Sequence, residues 1–443
     1  MAGTKKKSVE VIKKAKEARE AGLELAKLKD SRRRTALKMM AAAVRAERGK
    51  ILKANEADVA EAKKQVAKGE MTAAMLKRLI VDENKIEDMA LGIESVAKLP
   101  DPIGKRISAI ELDYGLVLEQ VTVPIGVIGA IFESRPDVVP QVASLCLKSG
   151  NAVLLKGGKE AANTNKALAE VLSDSSVKAT GVPNGWLQLI ETREEVTQVL
   201  ELDEYIDLLV PRGSNEFVRY IKNNTAIPVL GHADGICHVY IDKDARMDLA
   251  VAIAIDSKTQ YPAVCNAMET LLVHKDIART FVPRIVELYK SLGVEVRGCL
   301  RTRSLVKGVK PATEADWAAE YLDLIISIKI VDSIEDAIKH INTYGSKHTD
   351  AIVTKSKKAA KTFFESVDSS CVFHNASTRF SDGFRFGKGA EIGISTNKTH
   401  ARGPVGLEGL VIYNYRLKGS GQVVADYVGP KAKKFTHKLI KQK

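Results

Sequence analysis

The chain has no C-x-x-C pair. Its five cysteines, at 146, 237, 265, 299 and 371, are spaced 91, 28, 34 and 72 residues apart, which fits neither a zinc site nor a small disulfide framework and implies reduced thiols. H-E-x-x-H is missing too, so a metal enzyme has no motif to rest on and no metal ligand is assigned. Apolar runs stay well short of the roughly 18 residues of a membrane span. The opening MAGTKKKSVEVIKKAKEARE inserts charges where a signal peptide needs an apolar stretch, so a soluble, cytoplasmic chain is expected. The dinucleotide fingerprint G-x-G-x-x-G is also absent, because GVIGAIF (126–132) spaces its glycines three apart.

Positive charge is plentiful, at a formal +13, but it sits at the ends. Residues 1–50 hold 16 Lys/Arg against 6 Asp/Glu, and residues 431–443 hold six Lys and no acid, which leaves residues 51–430 at a net −3. Nucleic-acid binding is therefore not expected: no aromatic interleaving or groove-reading motif accompanies the basic ends. Solvated helix faces and fraying tails account for them.

With 443 residues, 45% of them hydrophobic, the chain is too long for one ordinary domain. Residues 1–104 are predicted to form helices packing on something larger, since Leu, Ala and Ile recur every three or four positions. Residues 105–123 read as a β-hairpin turning at Asp113-Tyr114-Gly115. From 124 to 241 short apolar runs alternate with helical patterns, the texture of a doubly wound parallel sheet whose ligands lie beyond the strands' carboxyl ends. Residues 242–399 repeat that texture and carry Cys265. Residues 400–430 are β-rich, a possible partner for the hairpin, and 431–443 form a basic tail.

Two strand ends carry loops suited to phosphate, Lys156-Gly157-Gly158-Lys159 and Pro211-Arg212-Gly213-Ser214. Glycine lets backbone N–H groups approach an anion, and each loop opens a helix. In YPAVCNAMETLLVH (261–274) the cysteine sits on a turn before an apolar run. By residue type alone, Cys265 is either a nucleophile or a small packed residue.

VPIGVIGAIFESRPDV, NAVLLKGGKEA, LLVPRGSNEFV, QYPAVCNAMETLLVH, SSCVFHNASTRFSDGFRFGKGAEIGIST and RGPVGLEGL, in that order, resemble the acyl-phosphate-reducing branch of the aldehyde dehydrogenase superfamily. The resemblance runs from about Asp101 to Leu410. It implies two doubly wound α/β domains, one for cofactor and one for catalysis, with a small β extension for oligomerisation and hence a homo-oligomer. Cys265 falls on the superfamily's nucleophile. The activity implied is NADPH-dependent reduction of L-glutamyl 5-phosphate to L-glutamate 5-semialdehyde, a step of proline biosynthesis, with a glutamate 5-kinase as the partner that hands over the labile substrate.

The same resemblance assigns the cofactor to Lys156, Gly157, Gly158, Lys159, Pro211, Arg212, Gly213, Ser214 and Glu320. Lys159 stands where NAD-preferring members carry an acid, and a cation there suits a 2′-phosphate. Substrate contacts fall to Arg135, Asn266, Asn375 and Arg379. Ordinary members carry E-L-G-G-K about 35 residues before the cysteine, and here Val229-Leu230-Gly231-His232 replaces it. The missing glutamate suits a reductase, whose thioester must not meet activated water. It disfavours the alternative of an oxidative dehydrogenase acting on a related semialdehyde. His232 is a candidate substitute base, with an ordinary hydrogen-bonding role as the simpler reading. A non-catalytic polyanion-binding scaffold is disfavoured by the cysteine motif and the two loops.

Overall fold

Thr72 and Asp82 punctuate the N-terminal helices. Each side chain accepts from the backbone N–H three residues on, of Met75 at 3.2 Å and Lys85 at 2.8 Å, giving the free N–H groups of a helix start an acceptor. The helices Ala73–Leu79 and Glu83–Lys98 begin there. Glu83–Lys98 buries Ile86, Met89, Ala90, Ile93, Val96 and Ala97, the spacing of a helix with one apolar face. The computed structural model describes residues 2–178, 180–191 and 194–441.

Arg106–Asp113 (β1) and Leu116–Pro124 (β2) pair antiparallel across Tyr114 and Gly115, and Gly115 takes the positive φ that such a turn requires. Four parallel strands follow: Val127–Phe132 (β3), Ala152–Lys156 (β4), Leu187–Leu189 (β5) and Leu208–Arg212 (β6), in the order β5-β4-β3-β6. All six residues of β3 are buried, as expected of a strand covered on both faces. Helices Asp30–Ala46, Arg48–Ala67 and Glu83–Lys98 share one apolar core with this sheet through Leu37, Ile51, Ile93, Val153 and Leu168.

A second sheet, parallel throughout, contains Cys237–Ile241 (β7), Met268–His274 (β8), Glu295–Gly298 (β9), Lys310–Pro311 (β10), Ile325–Val331 (β11), Thr349–Val353 (β12) and Cys371–His374 (β13). Its order is β10-β9-β11-β8-β7-β12-β13. Gly393–Ser395 (β14) and Gly403–Val405 (β15) form a short antiparallel pair. Val411–Lys418 (β16) then runs along β2 with Tyr413, Tyr415 and Leu417 exposed. No helix among the described residues is long and apolar enough to cross a membrane.

The basic ends depart from the expectation of fraying tails. At the C-terminal end Lys438–Leu439 (β17) pairs with β1, Thr436 donates its N–H to Leu112 O at 2.8 Å, and Phe435 stacks on Tyr427 at 4.4 Å. Backbone pairing and one aromatic stack hold a segment whose side chains are mostly exposed. At the other end Arg33 is 1% exposed and bonds both Asp101 oxygens, at 2.8 and 2.9 Å, while Asp30 pairs with the fully buried Lys148 at 2.6 Å. Part of the N-terminal charge is thus neutralised inside the fold.

Asp58 ties the N-terminal helices to the first sheet's cover. Only 5% exposed, it accepts from the backbone N–H groups of Asn163 and Thr164 and from both of their side chains, at 2.6–3.3 Å, where the helix Ala162–Val177 starts. Asp58→Ala leaves the buried N–H and hydroxyl of Thr164 without this acceptor. A loss of about 2–3 kcal/mol is expected, read as a lower urea midpoint; an unchanged midpoint would mean that the contact carries no stability.

Candidate active site

In the first sheet the chain runs outward from β3 to β4 and β5, then crosses to β6 on the other side of β3. That reversal opens a crevice beyond the carboxyl ends of β3 and β6. Glu133, Ser134 and Arg135 follow β3, and Gly213, Ser214 and Asn215 follow β6. The second sheet meets this crevice from its other edge, contrary to the expectation of a carboxyl-end site: Cys265 comes three residues before β8 and Glu320 five before β11. The cleft between the two edges has a volume of about 790 Å³ and is walled by residues from both.

Cys265 is partly buried on the turn between the helix Met247–Thr259 and β8. Its backbone lies against Gly235, where an added Cβ would fall 2.1 Å from Cys265 O and 2.4 Å from its Cα. The Cys237 thiol donates to Cys265 O at 3.2 Å. Asn266 is anchored by its Nδ2 on Ser381 O at 2.7 Å. Arg212 and Arg379 line the same cleft as Cys265. Arg212 donates to Gln141 Oε1 at 3.4 Å and Ile392 O at 3.3 Å, and Arg379 to Gln260 Oε1 at 2.9 Å. Burial lowers the pKa of each arginine below its ordinary value, but a guanidinium remains charged.

Across the cleft, Ser214 precedes the helix Asn215–Asn223, and its N–H donates to Glu133 Oε2 at 3.1 Å. Asn215 Nδ2 reaches Glu320 Oε2 and Asp234 Oδ1, each at 2.8 Å. Below Glu320 lies a fully buried ion pair, Lys258 to Glu269 at 2.5 Å. Glu269 Oε1 also accepts from Leu322 N at 3.3 Å, and Leu322 has a φ of 53°. Burial pushes Glu269 up to about 7 and Lys258 down. One carboxylate thus supports both the strand that follows Cys265 and the loop that carries Glu320.

Cys265, Asn266, Arg135, Pro211, Arg212, Gly213, Ser214, Glu320 and Arg379 all line this cleft. Lys156, Gly157, Gly158 and Lys159 lie at the same sheet edge, beyond β4, outside the cleft's walls. Lys156 is buried and Lys159 exposed. At Gly157 an added Cβ would fall 2.0 Å from Asn165 Nδ2, so close packing against a helix requires this glycine whatever binds nearby. Asn375 is not brought to the site. It follows β13 at the opposite edge of the second sheet, with its amide on the Thr354 backbone at 3.0 Å in both directions.

Val229 packs against the apolar cluster that contains Ile206, Leu209, Ile221 and Ile227, and it is not among the residues lining the cleft. His232 lines the cleft and donates Nδ1–H to Ile394 O at 2.9 Å, which leaves the lone pair on Nε2. Burial lowers its pKa and keeps the ring neutral. A second cavity of about 550 Å³ shares Arg78, Arg135, Asp382 and Glu391 with the cleft and adds Lys85, Asp88 and Asp137. Sequence reasoning missed Arg78 and Gly235. The first is one basic residue in a charged helix, and the second closes the ordinary turn signal HADG.

The sequence pattern of the aldehyde dehydrogenase family matches residues 1–299, and the chain belongs to that family, whose members use nicotinamide cofactors. Within it, the chain is similar to gamma-glutamyl phosphate reductases. It is 54% identical over 441 residues to that of Methanococcoides burtonii, covering 98% of each chain. The crystal structure of gamma-glutamyl phosphate reductase from Thermotoga maritima superposes with a TM-score of 0.90 at 42% identity, over 93% of this chain and 99% of that one. At the level of fold alone, an engineered glycolyl-CoA reductase with bound NADP+ gives a TM-score of 0.62 at 14% identity, over 92% and 96% of the two chains.

Gly235→Ala tests the contact beneath the cysteine. The new methyl group collides with backbone and forces Cys265 to move, and a displacement of about 1 Å is expected to cost roughly 100-fold in turnover. Steady-state rates beside a circular dichroism spectrum check it. Full activity would show that the turn can yield without cost.

Proposed function

We propose that the chain reduces L-glutamyl 5-phosphate to L-glutamate 5-semialdehyde and phosphate, with NADPH as reductant and Cys265 as nucleophile. The observation that carries this reading is a partly buried cysteine that shares a cleft between two sheet edges with Arg135, Arg212 and Arg379. The relatives of that name support it.

The Cys265 thiolate forms a C–S bond to the γ-carbonyl carbon, the carbonyl–phosphate C–O bond breaks, and phosphate leaves. The thiol proton passes to the Nε2 lone pair of His232. Arg212, Arg379 and Arg135 face the departing charge and stabilise it. The neighbouring cavity takes the amino-acid end, with Arg78 and Lys85 toward the carboxylate and Asp88 and Asp137 toward the ammonium. Val229, turned into an apolar cluster, offers no base to a water, so the thioester on Cys265 persists.

The cleft fits a dinucleotide. Gly213 lets Glu133 and Phe217 close on the start of a helix, since an added Cβ would fall 2.7 Å from Glu133 Oε2 and 3.0 Å from Phe217 Cδ1. Pro211 to Ser214 would hold phosphates, Glu320 the nicotinamide ribose, and Lys156 and Lys159 the adenosine end. The bound cofactor supplies the hydride that takes the thioester to the aldehyde level. Cys265 then leaves again as thiolate when the semialdehyde is released.

Run in reverse, the purified chain should reduce NADP+ with L-glutamate 5-semialdehyde only when phosphate is present. Cys265→Ala should lower that rate at least about 1,000-fold with cofactor binding intact, and an aldehyde lacking the α-amino group should be a poor substrate. Phosphate-independent turnover, or a Cys265→Ala protein that still works, would sink the reading.

For cofactor choice, Lys159→Glu replaces attraction by repulsion at the proposed 2′-phosphate, worth about 2–5 kcal/mol when partly desolvated. The preference for NADPH over NADH should fall at least about 30-fold, mostly through weaker NADPH binding. An unchanged ratio in steady-state kinetics would place selectivity elsewhere.

A further inference from the structure

His232, Cys265 and His348 come from three different segments and converge at one point. One ring nitrogen of each histidine and the Cys265 Sγ all lie within 4.8 Å of one another. His232 is held by its bond from Nδ1–H to Ile394 O, which puts the ring's lone pair on Nε2. His348 immediately precedes β12 and is fully buried. Its Nδ1 lies 2.8 Å from Thr349 Oγ1, whereas Nε2 is buried with no hydrogen-bond partner among the described residues. The two rings meet edge to face, with centroids 4.9 Å apart.

A buried polar atom left unpaired costs about 1–3 kcal/mol, and the reaction proposed above gives His348 nothing to do. Two imidazoles and a thiolate are a borderline-soft donor set that favours Zn2+ over Mg2+ or Ca2+, with a fourth position left for water. In a tetrahedral zinc site the donor atoms stand about 3.3–3.6 Å apart, as Zn–N and Zn–S lengths of about 2.0 and 2.3 Å require. The cluster must therefore contract by about 1 Å. That takes a rotation of the Cys265 side chain, on its turn outside the strands, together with small shifts of the two rings.

We propose that His232, Cys265 and His348 form an inhibitory zinc site superimposed on the nucleophile. Binding breaks the Cys265 S–H bond and forms a Zn–S bond, the proton goes to solvent, and nothing is oxidised or reduced. The sulfur lone pair that attacks the acyl phosphate is then engaged, and turnover stops until a chelator removes the ion. The inhibition rests on Cys265 being the nucleophile; the binding does not.

Cobalt(II) added to the chelator-treated, full-length chain tests binding without reference to activity. A thiolate-to-cobalt charge-transfer band with the intense visible bands of a tetrahedral ion is expected, and both should vanish on addition of zinc. Cys265→Ser should lack the charge-transfer band. His348→Gln should turn over normally in chelator yet need at least about 10-fold more zinc for half-inhibition, since even outer contacts of a metal site are worth 10- to 100-fold in affinity. Absence of the cobalt bands, or zinc inhibition of His348→Gln at the wild-type concentration, would overturn the proposal. Should His348→Gln not fold, alkylation of Cys265 in the unaltered chain decides: zinc must slow it and EDTA restore it, and unprotected labelling defeats the site. Tetrahedral cobalt binding without loss of turnover would leave the site standing and refute Cys265 as nucleophile instead.

Discussion

Every reactive group in the cleft depends on two parallel sheets meeting edge to edge with opposite sense. The first presents the carboxyl ends of β3 and β6, where the chain turns into helices and exposes backbone N–H groups. The second presents the amino ends of β8, β11 and β12, where Cys265, Glu320 and His348 lie just before their strands begin. Carboxyl ends suit anions, because a helix starts there. Amino ends suit a nucleophile on a turn, because the strand behind it fixes its position while the turn leaves the side chain outside the ladder.

Within the second sheet the buried Lys258–Glu269 pair ties two of these strand ends together. Ion pairs in such surroundings contribute little net stability, because two charges lose their water. Their value here is geometric: Glu269 belongs to β8 and grips the backbone of Leu322, so the strand behind the cysteine and the loop with Glu320 cannot shift independently. The strained φ of Leu322 is tolerated because its N–H has a buried carboxylate to meet.

The strands were legible where burial on both faces leaves no polar alternation, as in VIGAIF and METLLVH, both wholly buried. The nucleophile role proposed for Cys265 comes only from its resemblance to a family motif, since a cysteine before an apolar run reads equally well as core. Other features have no local signature. Gly235 matters because residue 265 lies against it, and Asp58 because Asn163 and Thr164 do. Asn375 sits in a motif near Arg379, yet one strand end separates the two: Asn375 finishes the far edge of the sheet, while Arg379 has returned along the helix Met247–Thr259 to Gln260. His232, Cys265 and His348, 33 and 83 residues apart, form no recognisable spacing. The two residues of β17 are too few to show a period.

Glu133 already accepts a hydrogen bond from Ser214 N at the head of the helix Asn215–Asn223. The protein therefore stations an anion of its own where a phosphate is proposed to bind. An arriving phosphate has to exchange with that carboxylate, and a departing one is replaced by it. The pull of the helix end is thus felt only as the difference between two negative groups. The net affinity of the helix end for a phosphate is therefore what remains after the carboxylate's bond is given up, and it is the same for either redox form of a dinucleotide.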